Sequence, residues 1–242
     1  MSSCPSPSGL TSSTTDFVTT PAVPAYLEHH YWWAYVHPRA VTIFEREWLV
    51  NLILFGNYSR LRDKALSALG QPVTGRTLQV ACVYGNLTQR LIDRMSADAT
   101  LNVVDILPIQ LHNLSRKIRS DARVTLEQGD SASLAFADAS HDQALLFFLL
   151  HEQPESTRRD TLRETLRVVK PGGRVVIVDY HRPQAWHPLR PLMKRIFARL
   201  EPFAHDLWEH PIEAYLPTDI TVKSIQRTTL FGGLYQLLSL ER

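Results

Sequence analysis

The sequence predicts an α/β protein with a mostly parallel sheet that has helices on both faces. From about residue 71, apolar strand-like segments alternate with segments of helical periodicity, which is typical of such a sheet. The strands are nearly continuous runs of valine, isoleucine and leucine, as in "RVVIVDY" at 174–180. Runs of this kind indicate strands that are buried on both faces. A final pair of strands, joined around Gly232 and Gly233, is expected to add an antiparallel edge.

The predicted elements follow one another without an internal repeat. Five strands are expected at 76–85, 100–106, 123–130, 142–152 and 174–181, and the closing pair lies within 219–241. Helices are expected at 86–96, 107–119 and 156–169, and a long helical region at 187–209. This gives a domain over 71–242.

Two further segments precede that domain. Residues 1–25 are rich in serine, threonine and proline, and we expect them to form a disordered tail. Residues 26–70 have apolar side chains at helical spacing, which predicts two or three helices that close over the site.

Composition excludes several classes of protein. The 242 residues are 44% hydrophobic and 21% charged, which indicates a globular chain, and a net charge of +2 gives no basic field for nucleic acid. The two cysteines lie far apart and provide no disulfide framework. The apolar run at 48–56 is far shorter than the roughly 20 residues that span a bilayer. With no secretory pattern at the start, we expect a cytoplasmic protein, with peripheral contact to the inner membrane surface as an open alternative.

Polar residues or glycine stand at the end of every predicted parallel strand. Ligands of open parallel sheets bind at this edge, so these residues are the candidates for function: Tyr84-Gly85, Asp105, Gly129-Asp130, His151-Glu152 and Asp179-Tyr180-His181.

Two of these acids have spacings typical of a nucleoside site. Asp105 lies 20 residues after Gly85, the separation at which a carboxylate accepts hydrogen bonds from a ribose diol. Asp130 follows Gly129 and is placed to accept from an adenine amino group. The alternatives are a helix cap for Asp105 and an ordinary turn residue for Asp130.

Three motifs carry a resemblance to known enzymes: "GDS" at 129–131, "LLFFLLHEQP" at 145–154 and "LRVVKPGGRVVIVDYHRP" at 166–183. With the order of elements, they resemble class I S-adenosylmethionine-dependent methyltransferases, in the style of those acting on ubiquinone and menaquinone precursors. The resemblance covers 72–240. It implies a Rossmann-like fold with a seven-stranded sheet and S-adenosylmethionine bound by Ala81, Tyr84, Gly85, Asp105, Ile106, Asp130 and Ser131. A dehydrogenase is disfavoured because no G-x-G-x-x-G follows the first strand.

The first loop departs from the methyltransferase pattern. Where that pattern has an acid and three alternating glycines, this chain has Gln79, Ala81, Val83 and Gly85. Val83 is β-branched and resists a left-handed conformation, so we expect an altered loop path or an altered cofactor position. Tyr84 then places a phenol beside the methionine end of the cofactor, unless it is only a packed aromatic ring.

A narrower resemblance covers nearly the whole chain after the tail. The segments "YWWAYVHPRAVTIFEREWLVNLILFGNYSRLRD" at 31–63, "VACVYGNLTQRL" at 80–91 and "LLHEQP" at 149–154 resemble the rhodoquinone biosynthesis family RquA. This implies conversion of ubiquinone to rhodoquinone, in which an amino group from S-adenosylmethionine replaces a ring methoxy group and manganese is required. As a hypothesis, the amine adds to the ring carbon and expels methanol, with a divalent cation polarising the quinone oxygen and a base near the α-carbon of the cofactor.

Candidate roles follow from that chemistry. Tyr84, His151, Asp179 and His181 are the predicted catalytic residues, with Glu152 as a substitute, and the metal ligands cannot be assigned from spacing. Tyr31, Trp32, Trp33 and Tyr35 are predicted to form an apolar wall for the quinone, with His37 and Tyr58 as polar contacts. The alternative is that these aromatic residues only seal the helices onto the sheet.

Two functions compete with amino transfer: a conventional quinone methyltransferase with a degenerate loop, and a methyltransferase-like accessory protein without catalysis.

A separate feature is the helix 189–207, with an apolar stripe opposite Arg190, Lys194, Arg195 and Arg199. It is predicted either to lie on an anionic membrane or to pack on the sheet.

Overall fold

The computed structural model describes residues 23–31 and 43–242. Most of the predicted tail, together with Trp32, Trp33, Tyr35 and His37, therefore lies outside the described residues. Three helices precede the sheet in the described part: α1 (Ala25–His30), α2 (Glu47–Ile53) and α3 (Tyr58–Leu69). The predicted helical character of the segment before Gly70 is confirmed there.

The sheet has seven strands in the order β3-β2-β1-β4-β5-β7-β6. The strands are β1 (Arg76–Val80), β2 (Thr100–Asp105), β3 (Val124–Gln128), β4 (His141–Phe147), β5 (Val169–Tyr180), β6 (Ser224–Leu230) and β7 (Tyr235–Glu241). Strands β1 to β5 are parallel, while β7 runs antiparallel to both β5 and β6. The predicted seven-stranded, mostly parallel sheet is confirmed.

Helices cover both faces of this sheet. They are α4 (Leu87–Ile92), α5 (Pro108–Lys117), α6 (Glu155–Val168), α7 (Arg190–Leu200) and α8 (Asp206–Glu209). Strand β5 shows why its sequence is continuously apolar, because Val176 and Val178 belong to one buried cluster and Val175 and Ile177 to the other. Period-two alternation places these pairs on opposite faces, and both faces are buried.

Strand order fixes where a ligand can bind. The chain enters at β1 in the middle of the sheet, moves outward to β3, and then returns to the other side of β1 with β4. The carboxyl ends of β1 and β4 therefore flank a crevice at the switch point, which is the usual ligand site of such sheets.

The helical region predicted over 187–209 is interrupted. Helix α7 ends at Leu200 and α8 begins at Asp206, and Glu201 leaves the helical conformation with φ −134° and ψ 64°. The cause is Pro202, because the residue before a proline is disfavoured in the α region. Within α7, Met193 and Phe197 are buried in the core, whereas Leu192 and Leu200 remain 45% exposed. Packing on the sheet therefore accounts for only part of the apolar stripe.

Across the described ranges, no helix combines the length and the apolar character that crossing a bilayer requires.

Candidate active site

A large cavity lies at the carboxyl edge of the parallel strands. It holds about 1370 Å³ of empty space, its open mouth included, and is lined from the ends of β1, β2, β4 and β5. Side chains of α1 and α2 and of the segment before α2 line the opposite wall, among them Tyr26, Phe44 and Val50. The described N-terminal helices thus contribute to the wall of the cavity.

The loop after β1 has two left-handed residues. Ala81 has φ +71° and Gly85 has φ +84°, whereas Val83 is not among the described residues with positive φ. Val83 therefore does not have to adopt the conformation that its branched side chain resists. The unfavourable position is Ala81, where a left-handed backbone costs a non-glycine residue roughly 1–2 kcal/mol.

Gln79 holds the strained residue in place. Its side chain is fully buried; Nε2 donates a hydrogen bond to the Ala81 carbonyl at 3.0 Å, and Oε1 accepts one from Thr88 Oγ1 at 3.0 Å. A carboxylate at this position has no proton to donate to that carbonyl. The glutamine that replaces the usual acid therefore supports the alanine that replaces the usual glycine.

We expect Ala81→Gly to stabilise the protein slightly. Relief of the left-handed strain exceeds the extra backbone entropy that glycine loses, which is roughly 0.5–1 kcal/mol. Urea unfolding should show a midpoint equal to or above that of the wild type. A clear loss of stability would contradict the assignment of strain to this residue.

Tyr84 lines the cavity beside this loop. Its hydroxyl accepts a hydrogen bond from Gln110 Nε2 at 2.9 Å, and its ring stacks on Phe44 with centroids 5.9 Å apart. Burial holds the pKa of the phenol above its ordinary value. Tyr84 therefore faces any ligand as a neutral hydroxyl group at neutral pH.

Tyr58 supports the loop from behind and does not line the cavity. Its hydroxyl accepts the Asn86 N–H at 2.9 Å and donates to the Tyr84 carbonyl at 3.3 Å. A Cβ atom on Gly85 would lie 2.6 Å from the same hydroxyl, so glycine is needed there for space as well as for its positive φ. The prediction that Tyr58 is a polar contact for the quinone is not supported by this position.

The predicted nucleoside residues lie together. Asp105, Ile106, Asp130 and Ser131 all line the cavity. Asp105 Oδ2 accepts the Cys82 N–H at 2.7 Å, which ties the end of β2 to the loop after β1. Its Oδ1 accepts the N–H of Leu107, the residue before α5, at 2.8 Å, but α5 has no side-chain cap, so the helix-cap alternative does not describe Asp105. Burial raises the pKa of Asp105 to about 6.

Asp130 and Ser131 are fixed by local hydrogen bonds. Asp130 Oδ1 accepts the Ala132 N–H at 2.8 Å, as a turn aspartate does. Ser131 Oγ lies 2.9 Å from Thr161 Oγ1 and accepts from Gln153 Nε2 at 3.0 Å. The turn therefore presents these side chains to the cavity in one orientation.

His151 and Asp179 form a buried pair at another part of the cavity. His151 Nδ1 lies 2.9 Å from Asp179 Oδ1, and Asp179 is completely buried behind the imidazole. The same carboxylate accepts the backbone N–H groups of Leu150 at 2.9 Å, of His151 at 3.3 Å and of Tyr180 at 2.7 Å. Four donors thus hold the Asp179 carboxyl group in place, and Nε2 of His151 is the ring nitrogen left for the cavity.

Two further carboxyl groups surround that nitrogen. Nε2 of His151 lies 3.7 Å from Glu152 Oε1 and 4.0 Å from Glu201 Oε2, and both residues line the cavity. Burial lowers the pKa of His151, but Asp179 foremost, and then Glu201 and Glu152, raise it to a net value of about 9. Burial also raises the pKa of Glu201. The imidazole is therefore protonated at neutral pH, and the surrounding acids balance its positive charge.

The sequence did not point to Glu201. It reaches the site because α7 ends before Pro202, and the only sequence signal for this is the Glu-Pro pair itself. Tyr31 is fully buried near Glu201. Burial is the largest cause that raises the pKa of its phenol, and the charge of Glu201 is the second. Tyr31 does not line the cavity, whereas Trp32, Trp33 and Tyr35 of the predicted wall lie outside the described residues. The described aromatic rings that line the cavity are those of Tyr26, Phe44, Phe147, Phe148 and Tyr180.

His181 lies outside this group, which corrects the predicted set. Its Nδ1 is 2.8 Å from the Gly233 carbonyl, and it lines a separate shallow cleft with Trp208 and His210. The reason is the closing hairpin, which pairs with β5 up to Tyr180 and engages the residue that follows.

The pH dependence of stability provides a test of the His151–Asp179 pair. Because the folded-state pKa of His151 is raised from 6.5 to about 9, its stabilising contribution is complete below pH 6.5 and is lost as pH rises through about 9. The loss is about 3 kcal/mol. Urea unfolding at pH 6.5 and 9.5 should show it in the wild type and not in His151→Gln; the same loss in both would contradict the assignment.

The cavity lining is rich in acidic side chains. Four carboxyl groups line it, from Asp105, Asp130, Glu152 and Glu201, while no lysine or arginine does so within the described ranges. Such a lining favours a ligand that carries positive charge.

The manganese that the narrower resemblance implies has no assigned ligands. Over residues 23–31 and 43–242 there is no group of three or more His, Cys, Asp or Glu side chains that could hold a metal ion.

Comparisons with known proteins agree with the fold. Residues 77–173 match the family described as "Methyltransferase domain". Together with the sheet topology, this match confirms the predicted Rossmann-like methyltransferase fold.

Individual relatives are distant. A demethylmenaquinone methyltransferase of Bacillus licheniformis is 28% identical over 134 residues, which cover 55% of this chain and 57% of that protein. One of Lactiplantibacillus plantarum is 25% identical over 193 residues, covering 78% and 77%. Among solved structures, phosphoethanolamine N-methyltransferase 2 of Haemonchus contortus, in complex with S-adenosylmethionine, has a TM-score of 0.67 at 13% identity and covers 91% of this chain and 60% of that one.

Proposed function

We propose that this chain is an S-adenosylmethionine-dependent transferase that converts ubiquinone to rhodoquinone by replacing a ring methoxy group with an amino group. The observation that carries the proposal is the His151–Asp179 pair, which places a protonated imidazole in an aromatic cavity next to the nucleoside-binding strand ends. The relatives named demethylmenaquinone methyltransferase support a quinone as the substrate.

The cavity fits S-adenosylmethionine by charge and by position. Asp105 at the end of β2 is placed for the ribose diol, and Asp130 with Ser131 for the adenine. The acidic lining without lysine or arginine among the described residues suits the sulfonium and ammonium charges. When bound, the cofactor supplies the nitrogen that enters the ring.

The remaining wall fits an uncharged ring. Phe44 and Tyr84 stack at one side, and Phe148 and Tyr180 meet edge to face with centroids 5.4 Å apart at another. Aromatic pairs of this kind hold planar apolar ligands while hydroxyl groups of tyrosine orient them. The wall therefore suits the quinone head group.

His151 supplies the proton that the departing group requires. Forming the carbon–nitrogen bond breaks the bond between ring carbon and methoxy oxygen; the attacking ammonium group gives up a proton, and methoxide takes one up to leave as methanol. Release of the aminoquinone would then break the bond between this nitrogen and the α-carbon of the cofactor, with a hydrogen on the adjacent carbon lost as a proton, so that an alkene forms and no oxidant is needed. His151 is protonated at neutral pH and presents Nε2 to the cavity, while Asp179 fixes its orientation through Nδ1. Glu152 and Glu201 stabilise the imidazolium and can accept its proton.

Quinone methylation is the second candidate, favoured by the names of the two relatives. The loop after β1 argues for a changed reaction, because Ala81 and Gln79 replace the pattern that conventional methyltransferases carry at this position. A third possibility, an accessory protein without catalysis, fits less well with a retained acid at both nucleoside positions.

Mass spectrometry of the quinone separates the three. The purified full chain is incubated with ubiquinone and S-adenosylmethionine, with and without manganese. The proposal predicts a quinone that has lost a methoxy group and gained an amino group. A methylated quinone would establish the second candidate, and an unchanged quinone without cofactor binding would establish the third.

Tyr84→Phe is expected to lower kcat roughly tenfold while the Kd for S-adenosylmethionine changes by less than about threefold. The hydroxyl is held by Gln110 at the cavity wall, so its loss affects ligand orientation more than cofactor contact. Tyr215→Phe is the matched control, because its hydroxyl contacts Asp206 away from the cavity. An unchanged kcat in Tyr84→Phe would remove the phenol from the reaction.

A further inference from the structure

Several large apolar side chains are exposed on one part of the surface. Trp48 is 60% exposed, Leu52 64% and Trp186 73%, and Ile43 and Ile53 are exposed as well. We call these five residues the apolar rim. Single exposed apolar residues are common, but clustered ones mark an interaction surface.

The members of the rim lie on the same side of the molecule. Phe55, just after α2, stacks on Phe231 with centroids 6.3 Å apart. Phe231 meets His187 at 5.1 Å, and His187 stacks with Trp186 at 6.4 Å. A continuous row of rings thus connects α2 with Trp186. Because the turn at Phe231 joins β6 to β7 beside the end of β5, this side is the carboxyl edge of the sheet.

The cavity reaches this same surface. Ile53 is 44% exposed and also lines the cavity, as do Val50 and Phe44 from the same segment. The helix that carries the exposed tryptophan therefore forms part of the wall of the site.

Exposed cations lie close in sequence to members of the rim. Arg46 precedes α2 directly, and Lys194 and Arg195 are exposed on α7, which follows Trp186. Tryptophan prefers the interface between lipid head groups and acyl chains, and arginine or lysine beside it is attracted to anionic lipids.

We propose that the apolar rim docks on the surface of an anionic lipid bilayer and turns the mouth of the cavity toward it. Apolar side chains enter the interface while Arg46, Lys194 and Arg195 contact the head groups. A lipid substrate then reaches the cavity without crossing water. The contact comes from α2 and Trp186, whereas α7 buries much of its own apolar stripe in the core. This docking does not depend on which group the site transfers.

Vesicle sedimentation tests the docking. The full chain is mixed with phosphatidylcholine vesicles, with or without phosphatidylglycerol, and centrifuged. It is expected to sediment with the anionic vesicles, more weakly at high salt. The double variant Trp48→Gln/Leu52→Gln should bind at least about 100-fold more weakly, because each side chain contributes at least about tenfold to partitioning. Neither residue lines the cavity.

Ile225→Gln is the matched control. Ile225 is 41% exposed and lies at the start of β6, at the edge of the sheet opposite the rim. It should sediment like the wild type. Equal binding by the double variant and the wild type, or no sedimentation of either, would overturn the proposal.

Light scattering tests whether a second copy of the chain, and not a membrane, binds to the apolar rim. A wild-type dimer that the double variant converts to a monomer would assign the rim to self-association and overturn the membrane proposal. Vesicle binding needs no turnover, so a chain that binds vesicles but leaves quinone unchanged refutes only the proposed reaction.

Discussion

Asp179→Asn is expected to lower kcat by about 10²–10⁴-fold and to destabilise the fold by about 3–5 kcal/mol. The carboxylate accepts four hydrogen bonds, one from His151 and three from backbone N–H groups. An asparagine presents an NH₂ group toward some of these donors, so the imidazole loses both its orientation and its counter-charge.

Two readouts distinguish a loss of stability from a loss of catalytic function. In Asp179→Asn the pH at which His151 releases its proton should fall toward neutral pH, which the pH profile of the residual kcat and imidazole NMR both report. Asp142→Asn is the matched control: Asp142 also accepts a backbone N–H, at 2.7 Å from Arg76, but stands at the beginning of β4, far from the cavity. It should leave kcat unchanged. An unaltered pH profile in Asp179→Asn would remove Asp179 from the positioning of His151.

Asp105→Ala is expected to weaken binding of S-adenosylmethionine at least about 100-fold, since charge-assisted hydrogen bonds contribute about 1.5–3 kcal/mol each. The variant also leaves the N–H groups of Cys82 and Leu107 without their acceptor, which loosens the loop after β1. Calorimetry measures the Kd directly. A Kd within threefold of the wild type would show that Asp105 only holds the backbone N–H groups of Cys82 and Leu107.

The affinity should also depend on pH through Asp105. Its pKa of about 6 lies above the unfolded value of 3.8, so the carboxylate becomes protonated, and binding weakens, as pH falls through about 6. The stability of the free protein, in contrast, rises as pH falls through the same range, because the folded state takes up the proton more readily than the unfolded state. Asp98→Ala, at an exposed acid remote from the cavity, should retain the wild-type profile.

The predicted residues that line the cavity follow the ends of parallel strands. Parallel strands bring their carboxyl ends to one edge, so Asp105, Asp130 and His151 are placed by the topology that the apolar runs already indicate. Asp179 follows for the same reason, and its burial explains why it orients His151 and does not itself reach the ligand. Such residues are predictable because their position depends on local pattern and sheet order.

The remaining parts depend on contacts between distant segments. Glu201 enters because a proline ends α7, and Tyr58 supports Gly85 from a helix that sequence periodicity places but does not orient. His181 was misplaced because the residue after β5 is engaged by the β6–β7 turn. In the loop after β1, the β-branched side chain of Val83 indicates that this residue resists a left-handed conformation. Only the structure shows that the left-handed residues of the loop are Ala81 and Gly85.

The source of the ring nitrogen is the most direct measurement of the proposed reaction. S-adenosylmethionine labelled with heavy nitrogen in its amino group is supplied with ubiquinone to the purified chain, and the quinone product is weighed by mass spectrometry. The proposal predicts one heavy nitrogen in the aminoquinone and release of methanol. A quinone that carries an added methyl group, or an amino group without the label, would contradict it.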